Sequence, residues 1–419
     1  MKPAFSRGRT QTSHFSFGLR KDETSIAVIL ALAVVLAAPA LARSQTFTVL
    51  TSFQAGGFEA NSTLVRDQEG NLYGAAYYGG NVSSTCGGKC GTVFRIDKHG
   101  KQTALHKFSG PDGDYVPARL LRDGRGNIFG TTVQGGAFGF GTVFMLDAVG
   151  NEKLLYSFKG GTDGFQPLSG LVTDGRGYLY GTTQSGGNSS CGKGCGTIFK
   201  VDRDGNETVL YRFTGQNDGA FPGGRIVLDG AGNLYGIGQA GESGCTEGCV
   251  YKLDPAGELT VLHAFTGSPD GAYPTGGLIR DSSGNLYGTT EVGGDSSACT
   301  SGCGTVFMVD AAGHETVLHA FNDADGSIPY ATVIRDKVGN LYGTTLSGGG
   351  ISCKPSATEC GVVFKLDASG NETVLHRFHG SDGFYPMAGL ILTAAGDLFG
   401  VTEFGGNTGG GGVAFKIHL

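Results

Sequence analysis

The sequence predicts an all-β protein, a single seven-bladed β-propeller of four-stranded blades, and three observations carry that expectation. A ten-residue unit, DSSGNLYGTT at 281–290, returns six more times in near-copy. Its aromatic falls at Tyr73, Phe129, Tyr180, Tyr235, Tyr287, Tyr342 and Phe399, in steps of 56, 51, 55, 52, 55 and 57 residues, and a period of this length marks a tandem array. Each period holds four short β-branched or aromatic runs separated by turn residues. The two ends are complementary: the chain opens on a fourth-type strand and finishes on three strands that lack a fourth, so pairing residues 46–53 with 412–417 closes a ring.

The elements follow in order. FTVLTSF (47–53) is the unpartnered opening strand. STLVRD (62–67), GNLYGAA, GTVFRID (91–97) and TALHKF (103–108) then complete one period. The same order returns as GTVFMLD and KLLYSF, GTIFKVD and TVLYRF, CVYKLD and TVLHAF, GTVFMVD and TVLHAF, GVVFKLD and TVLHRF, and ends with GVAFKI (412–417). Two turns per blade read Asp-x-x-Gly, as in Asp67/Gly70 and Asp97/Gly100. The carboxylate accepts hydrogen bonds from the turn N–H groups and the Gly supplies positive φ, so these aspartates are structural. In the seventh blade Thr393 replaces the first of them, which predicts a weaker turn. Both short turns fall on one face and both long connections on the other, which makes the long-loop face the recognition face.

Glycine, 77 residues in all, recurs at fixed turn positions between apolar runs and therefore signals turn chemistry rather than disorder. Residues 1–42 read as a Sec-type signal peptide. Lys2, Arg7, Arg9, Arg20 and Lys21 form a basic region, 26–36 an apolar core, and Ala40-Leu41-Ala42 a small-x-small cleavage site. The apolar core is shorter than the roughly 20 residues a spanning helix needs. The expected mature domain is 43–419, secreted or periplasmic, with no further membrane span or C-terminal anchor. Removing residues 1–42, which carry net +3, takes the formal charge from −6 to −9. An acidic chain without basic blocks argues against nucleic acid as a partner.

All ten cysteines fall in local pairs: Cys86/Cys90, Cys191/Cys195, Cys245/Cys249, Cys299/Cys303 and Cys353/Cys360. Behind an export signal these read as five short-loop disulfides, each contributing about 2 kcal/mol by loop entropy. The rival reading is zinc on CxxxC thiolates, but no His recurs beside the pairs, so no metal site is assigned.

Candidates for chemistry are few. A ring at one position of the fourth strand, Thr51, His106, Tyr156, Tyr211, His263, His319 and His376, invites a metal reading but belongs on the perimeter. The Asp-Gly motif of the crossovers (Asp112-Gly113 to Pro117 and its five equivalents) could take calcium, especially at Asp112/Asp114 and Asp323/Asp325, or could be an Asx-type turn needing no ion. Symmetry breaks just past the second strand, at Tyr77, Val133, Gln184, Gln239, Glu291, Leu346 and Glu403. Glu291 and Glu403 could act as a carboxylate pair or be solvated charges. Crossover aromatics Tyr115, Phe165, Phe221, Tyr273, Phe384 and Tyr385 offer stacking platforms for sugars or peptides, or pack beneath the loops. No GxSxG, HExxH or P-loop pattern appears, and no catalytic residue is nominated.

GNLYGTT, GTVFKLD, GNETVLHxF, DGxxP and GLIxD together resemble the bacterial "GloVer" (Gloeo/Verruco-type) tandem repeat of exported choice-of-anchor proteins. The likeness runs from about 47 to 417, with a more generic similarity to NHL-type propellers in the DxxGNLY turn. The resemblance implies an exported propeller. The reading is a monomeric, non-catalytic module that binds a glycan or a cell-envelope protein through its long-loop face. The alternative is an envelope enzyme, a lactonase or polysaccharide-cleaving propeller, with a metal on the central axis.

Overall fold

The computed structural model describes residues 45–53, 60–79, 86, 90–117, 119–294, 297–354, 357–406 and 410–419. The signal-peptide expectation for 1–42 lies outside the described residues. Seven antiparallel sheets form the blades, each with its strands in sequence order from the first outward. The first blade is Val65–Arg66, Leu72–Ala76, Thr92–Ile96 and Gln102–Lys107. The seventh takes Ile391–Leu392, Asp397–Val401 and Val413–His418 from the end of the chain and Thr46–Ser52 from its beginning. Phe47 pairs with Ile417 and Ser52 with Val413, so the predicted clasp is the observed closure.

Two aromatic contacts explain why the repeat reads as it does. In every blade the Gly after the second-strand aromatic lies under the third-strand ring: a Cβ at Gly288 would sit 2.6 Å from Phe307 Cζ, and one at Gly130 2.6 Å from Phe144 Cζ. The Phe that ends each fourth strand then meets the third-strand ring of the next blade, as in Phe108–Phe144 at 5.0 Å and Phe321–Phe364 at 5.1 Å. Phe53 of the clasp meets Phe94 of the first blade at 5.3 Å, so the series closes with the ring. Such pairs contribute about 1 kcal/mol each beyond the area they bury. The fourth strand also carries a bulge in every blade, opposite pairs such as Val93/Phe94. The bulged Leu50 carbonyl lies against Gly100 of the following turn, where φ is +82°.

The Asp-x-x-Gly turns hold as read. Asp67 accepts from the Asn71 N–H at 2.7 Å, the Asn71 amide at 2.7 Å and the Tyr73 hydroxyl at 2.9 Å, which joins Asp, Asn and Tyr of the motif in one network. Burial opposes ionisation of Asp67, but these hydrogen bonds outweigh it and its pKa falls below the usual value. At Thr393 the turn persists: the Asp397 N–H donates to Thr393 Oγ1 at 3.1 Å. Asp397 itself is held by His418 at 2.7 Å and Lys416 at 3.0 Å.

The cysteine expectation needs one correction. Cys86–Cys90, Cys191–Cys195 and Cys299–Cys303 are disulfides, whereas Cys245 and Cys249 are buried free thiols. The reason is register. Cys90, Cys195, Cys303 and Cys360 each present their carbonyl to the crossover residue of the next blade, and in the fourth blade that acceptor is Glu247. Cys249 therefore lies two residues further on, inside the strand Cys249–Leu253 opposite Gly238. There it replaces the Thr that elsewhere bonds a second-strand Thr, as Thr183 and Thr197 do at 2.8 Å. Cys360 is disulfide-bonded as well, and the side chain of Cys353, its expected partner, lies outside the described residues.

Candidate functional site

The perimeter ring has found partners within the chain. His106, His263, His319 and His376 meet Asp112, Asp270, Asp325 and Asp382 at 2.8 to 3.2 Å. Tyr156 and Tyr211 donate to Asp163 and Asp218 at 2.8 and 2.9 Å. The same carboxylates accept backbone N–H groups, such as Ser109 to Asp112 at 2.8 Å. Burial raises and these hydrogen bonds lower the pKa of Asp112, Asp325 and Asp382, and the net direction is down. Of the carboxylates suggested for calcium, Asp112 and Asp325 are thus engaged with the fourth-strand ring, whereas Asp114 and Asp323 are not part of it. Cys86, Cys90 and Asp114 bring their donor atoms within 4.8 Å of one another, but the sulfurs are joined in a disulfide and offer no thiolate.

The crossover aromatics divide into two groups. Phe384 is buried and meets Phe404 at 5.5 Å, Phe165 meets Phe140 at 5.5 Å, and Tyr385 meets both Phe384 and Phe404. Tyr115 stacks on Tyr77 at 4.8 Å and donates to the Cys86 carbonyl. These pack beneath the loops. Phe221 and the 42 % exposed Tyr273 instead line an open cleft of about 610 Å³ on the long-loop face. The residue at this crossover position has positive φ throughout, 54° at Phe221 and 53° at Tyr273, which is uncommon outside glycine. Its N–H is fixed by the preceding blade: Phe221 donates to Cys195 O and Tyr273 to Glu247 O, both at 2.8 Å.

The same cleft gathers Gln184, Gln239 and Glu291 from the symmetry-broken ring, together with Tyr330. The Gln184 amide reaches Gln239 Oε1 at 3.5 Å. Burial pushes the Glu291 pKa up. Tyr330 has its pKa raised by burial first, then by the nearby carboxylates of Glu291 and Glu403, so one phenol lies within range of both glutamates. Sequence reasoning passed over Tyr330, although a signal exists: among the residues directly after the crossover Pro it is the one aromatic, beside Ala118, Leu168, Gly223, Thr275 and Met387.

A second position went unread. Just before the first-strand apolar residue the repeats carry Thr63, Arg119, Gly170, Arg225, Gly277, Thr332 and Gly389. These residues meet around the axis: the Gly389 N–H donates to Thr63 Oγ1 at 2.9 Å and the Gly277 N–H to Thr332 Oγ1 at 2.7 Å. The two arginines therefore project where other blades place small residues.

A family model, the Gloeobacter/Verrucomicrobia repeat, matches residues 40–194, 82–301, 172–354 and 247–419. The chain belongs to that repeat family. Among solved structures this Gloeobacter/Verrucomicrobia repeat protein is similar to virginiamycin B lyase from Staphylococcus aureus. The identity there is 14%, over 90% of this chain and 99% of that one, with a TM-score of 0.58. It is also similar to the extracellular domain assigned to a hybrid two-component system of B. thetaiotaomicron, at 13% identity and a TM-score of 0.54, over 89% of this chain and 42% of that one. At such identities the likeness concerns the fold alone. No curated protein matches the chain.

Proposed function

We propose that this repeat protein is an exported, non-catalytic binding module that takes a glycan chain in the long-loop cleft of its third to fifth blades. The observation that carries the reading is the convergence of Gln184, Gln239 and Glu291 with the exposed ring of Tyr273 in one open cleft. Paired amides and a carboxylate match vicinal sugar hydroxyls, and an exposed aromatic face offers a stacking surface. Elsewhere in the ring the corresponding positions hold Tyr77, Val133, Leu346 and Glu403, which supply no paired amides. Export accords with the disulfides Cys86–Cys90, Cys191–Cys195 and Cys299–Cys303 and with the disulfide-bonded Cys360.

A second reading has one observation in its favour: Glu291 and Glu403 both act on Tyr330, so a pair of carboxylates flanks a phenol near the axis. That set suits an envelope enzyme working by acid–base chemistry. A glycan array followed by titration separates the two. Binding of an oligosaccharide that falls at least about tenfold in Tyr273→Ala and Gln239→Ala, with the sugar recovered intact, is the expected result. Cleavage of the bound sugar that disappears in Glu291→Gln would replace the binding module with the enzyme. Absence of any glycan signal would remove the sugar and leave a protein partner for this cleft.

A further inference from the structure

Behind the cleft the axis of the ring opens into a cavity of about 340 Å³ that shares Gln184, Gln239 and Tyr330 with it. On the short-turn side lies another of about 400 Å³. Arg119 and Arg225 line both cavities. Among the described residues neither guanidinium makes an ion pair or donates a side-chain hydrogen bond. The inner cavity has no carboxylate in its wall. The outer one has Asp67, already held by Asn71 and Tyr73. Arg66 and Arg122, at the same mouth, lie over the rings of Phe399 and Tyr73. An acidic protein thus concentrates positive charge on its axis, and it does so with residues that break the repeat.

Two like charges partly withdrawn from water without a counter-charge are costly. Burial, then the neighbouring Arg225, brings the Arg119 pKa down to about 10. Burial lowers that of Arg225 as well. Filling a channel would not require arginine, since an apolar side chain would do so without that penalty. A planar guanidinium instead presents paired N–H groups that match the oxygens of phosphate or carboxylate. Two of them balance two negative charges, and the Gln184 and Gln239 amides on the cleft side add neutral donors.

We propose that the central channel binds a small divalent oxyanion of the phosphate type, clamped between Arg119 and Arg225. The group could arrive as the free ion or as the phosphate of an ester, and the two arms of the test separate these. The purified protein is melted and titrated with inorganic phosphate, and in parallel with glucose 6-phosphate, against chloride at equal ionic strength.

Ligand that binds only the folded state raises Tm with the logarithm of its concentration. Phosphate is expected to raise Tm over chloride, and Arg119→Gln and Arg225→Gln are each expected to weaken phosphate about tenfold or more. Their own melting in chloride should stay unchanged or rise, because the like-charge repulsion is relieved. A glucose 6-phosphate affinity equal to or above that of phosphate identifies an ester as the source, and a preference for inorganic phosphate identifies the free ion. Equal melting of the wild type in phosphate and chloride overturns the proposal without reference to any variant. So does a phosphate response that survives in both glutamine variants.

Discussion

The rim of this ring and its axis are built from the same repeat, yet they treat polar groups differently. At the rim, positions repeated from blade to blade complete one another: a fourth-strand His or Tyr meets the crossover Asp, and that Asp also caps the backbone. At the axis the repeat is broken, and Arg119 and Arg225 lack a protein counter-charge among the described residues, while Glu291 faces a cleft. A residue retained seven times is maintained by packing that every blade shares. One that appears once or twice needs a different cause, and around the axis the cause proposed above is a ligand. Variants at the two kinds of position should therefore separate stability from binding.

The largest effect belongs to the repeated packing. A Cβ at Gly288 would stand 2.6 Å from Phe307 Cζ and 3.0 Å from Leu278 Cδ2, and both side chains are buried. Gly288→Ala is expected to cost about 3 kcal/mol through overpacking, read as a lowered urea midpoint with an unchanged slope. The Phe307–Phe265 pair across the blade interface would be displaced with it. A midpoint equal to wild type would mean that the Gly-aromatic contact is not what fixes this position of the repeat.

Asp114 tests a break in the repeat that lies away from the axis. It stands where other crossovers have Phe165, Ala220, Ala272, Ser327 and Phe384. It is 3 % exposed, and its Oδ1 has no hydrogen-bond partner. Burial pushes its pKa up to about 6. A carboxyl whose folded pKa is raised destabilises the fold when ionised, so the penalty is absent below the unfolded value near 4, grows between pH 4 and 6, and is complete above. Asp114→Ser, borrowing the residue of the sixth blade, is expected to gain roughly 2 kcal/mol at pH 7 and little at pH 4. Glycan and phosphate binding should not change. A gain of equal size at both pH values would point to packing rather than charge.

Much of the rim was legible in the sequence because its logic is local. Asp, Gly, Asn and Tyr of the turn fall within seven residues, and the clasp followed from counting strand types. What escaped depends on contacts between blades. The aromatic series from Phe53–Phe94 around the ring joins residues about 40 apart, and the bulge at Leu50 or Leu105 leaves no mark of its own in the strand pattern. Cys245 and Cys249 misled for a related reason: their spacing copies that of Cys191 and Cys195, but the register against the following crossover differs by two residues. Of the nominated site residues, Phe221, Tyr273 and Glu291 meet in the cleft, while Phe165, Phe384, Tyr115 and Tyr385 pack under loops. Tyr330, Arg119 and Arg225 become visible only when each repeat position is compared across blades for the residue that does not belong.

The smallest expected effect concerns Tyr251, a departure buried in the fourth blade. It takes the place of the third-strand Phe, is fully buried, and its hydroxyl has no hydrogen-bond partner. Burial raises its pKa strongly, so it stays neutral and the cost is that of a desolvated, unpaired hydroxyl. Six blades show that Phe fits this site, with the same edge-on contact that Phe213 makes to Tyr251 at 5.1 Å. Tyr251→Phe is accordingly expected to gain about 1 kcal/mol, seen as a raised urea midpoint at any pH between 5 and 8. Its independence of pH separates it from Asp114→Ser. A loss of stability would show that the hydroxyl is solvated inside the blade and that the fourth blade, with its paired thiols and Gly238, has repacked around a polar centre.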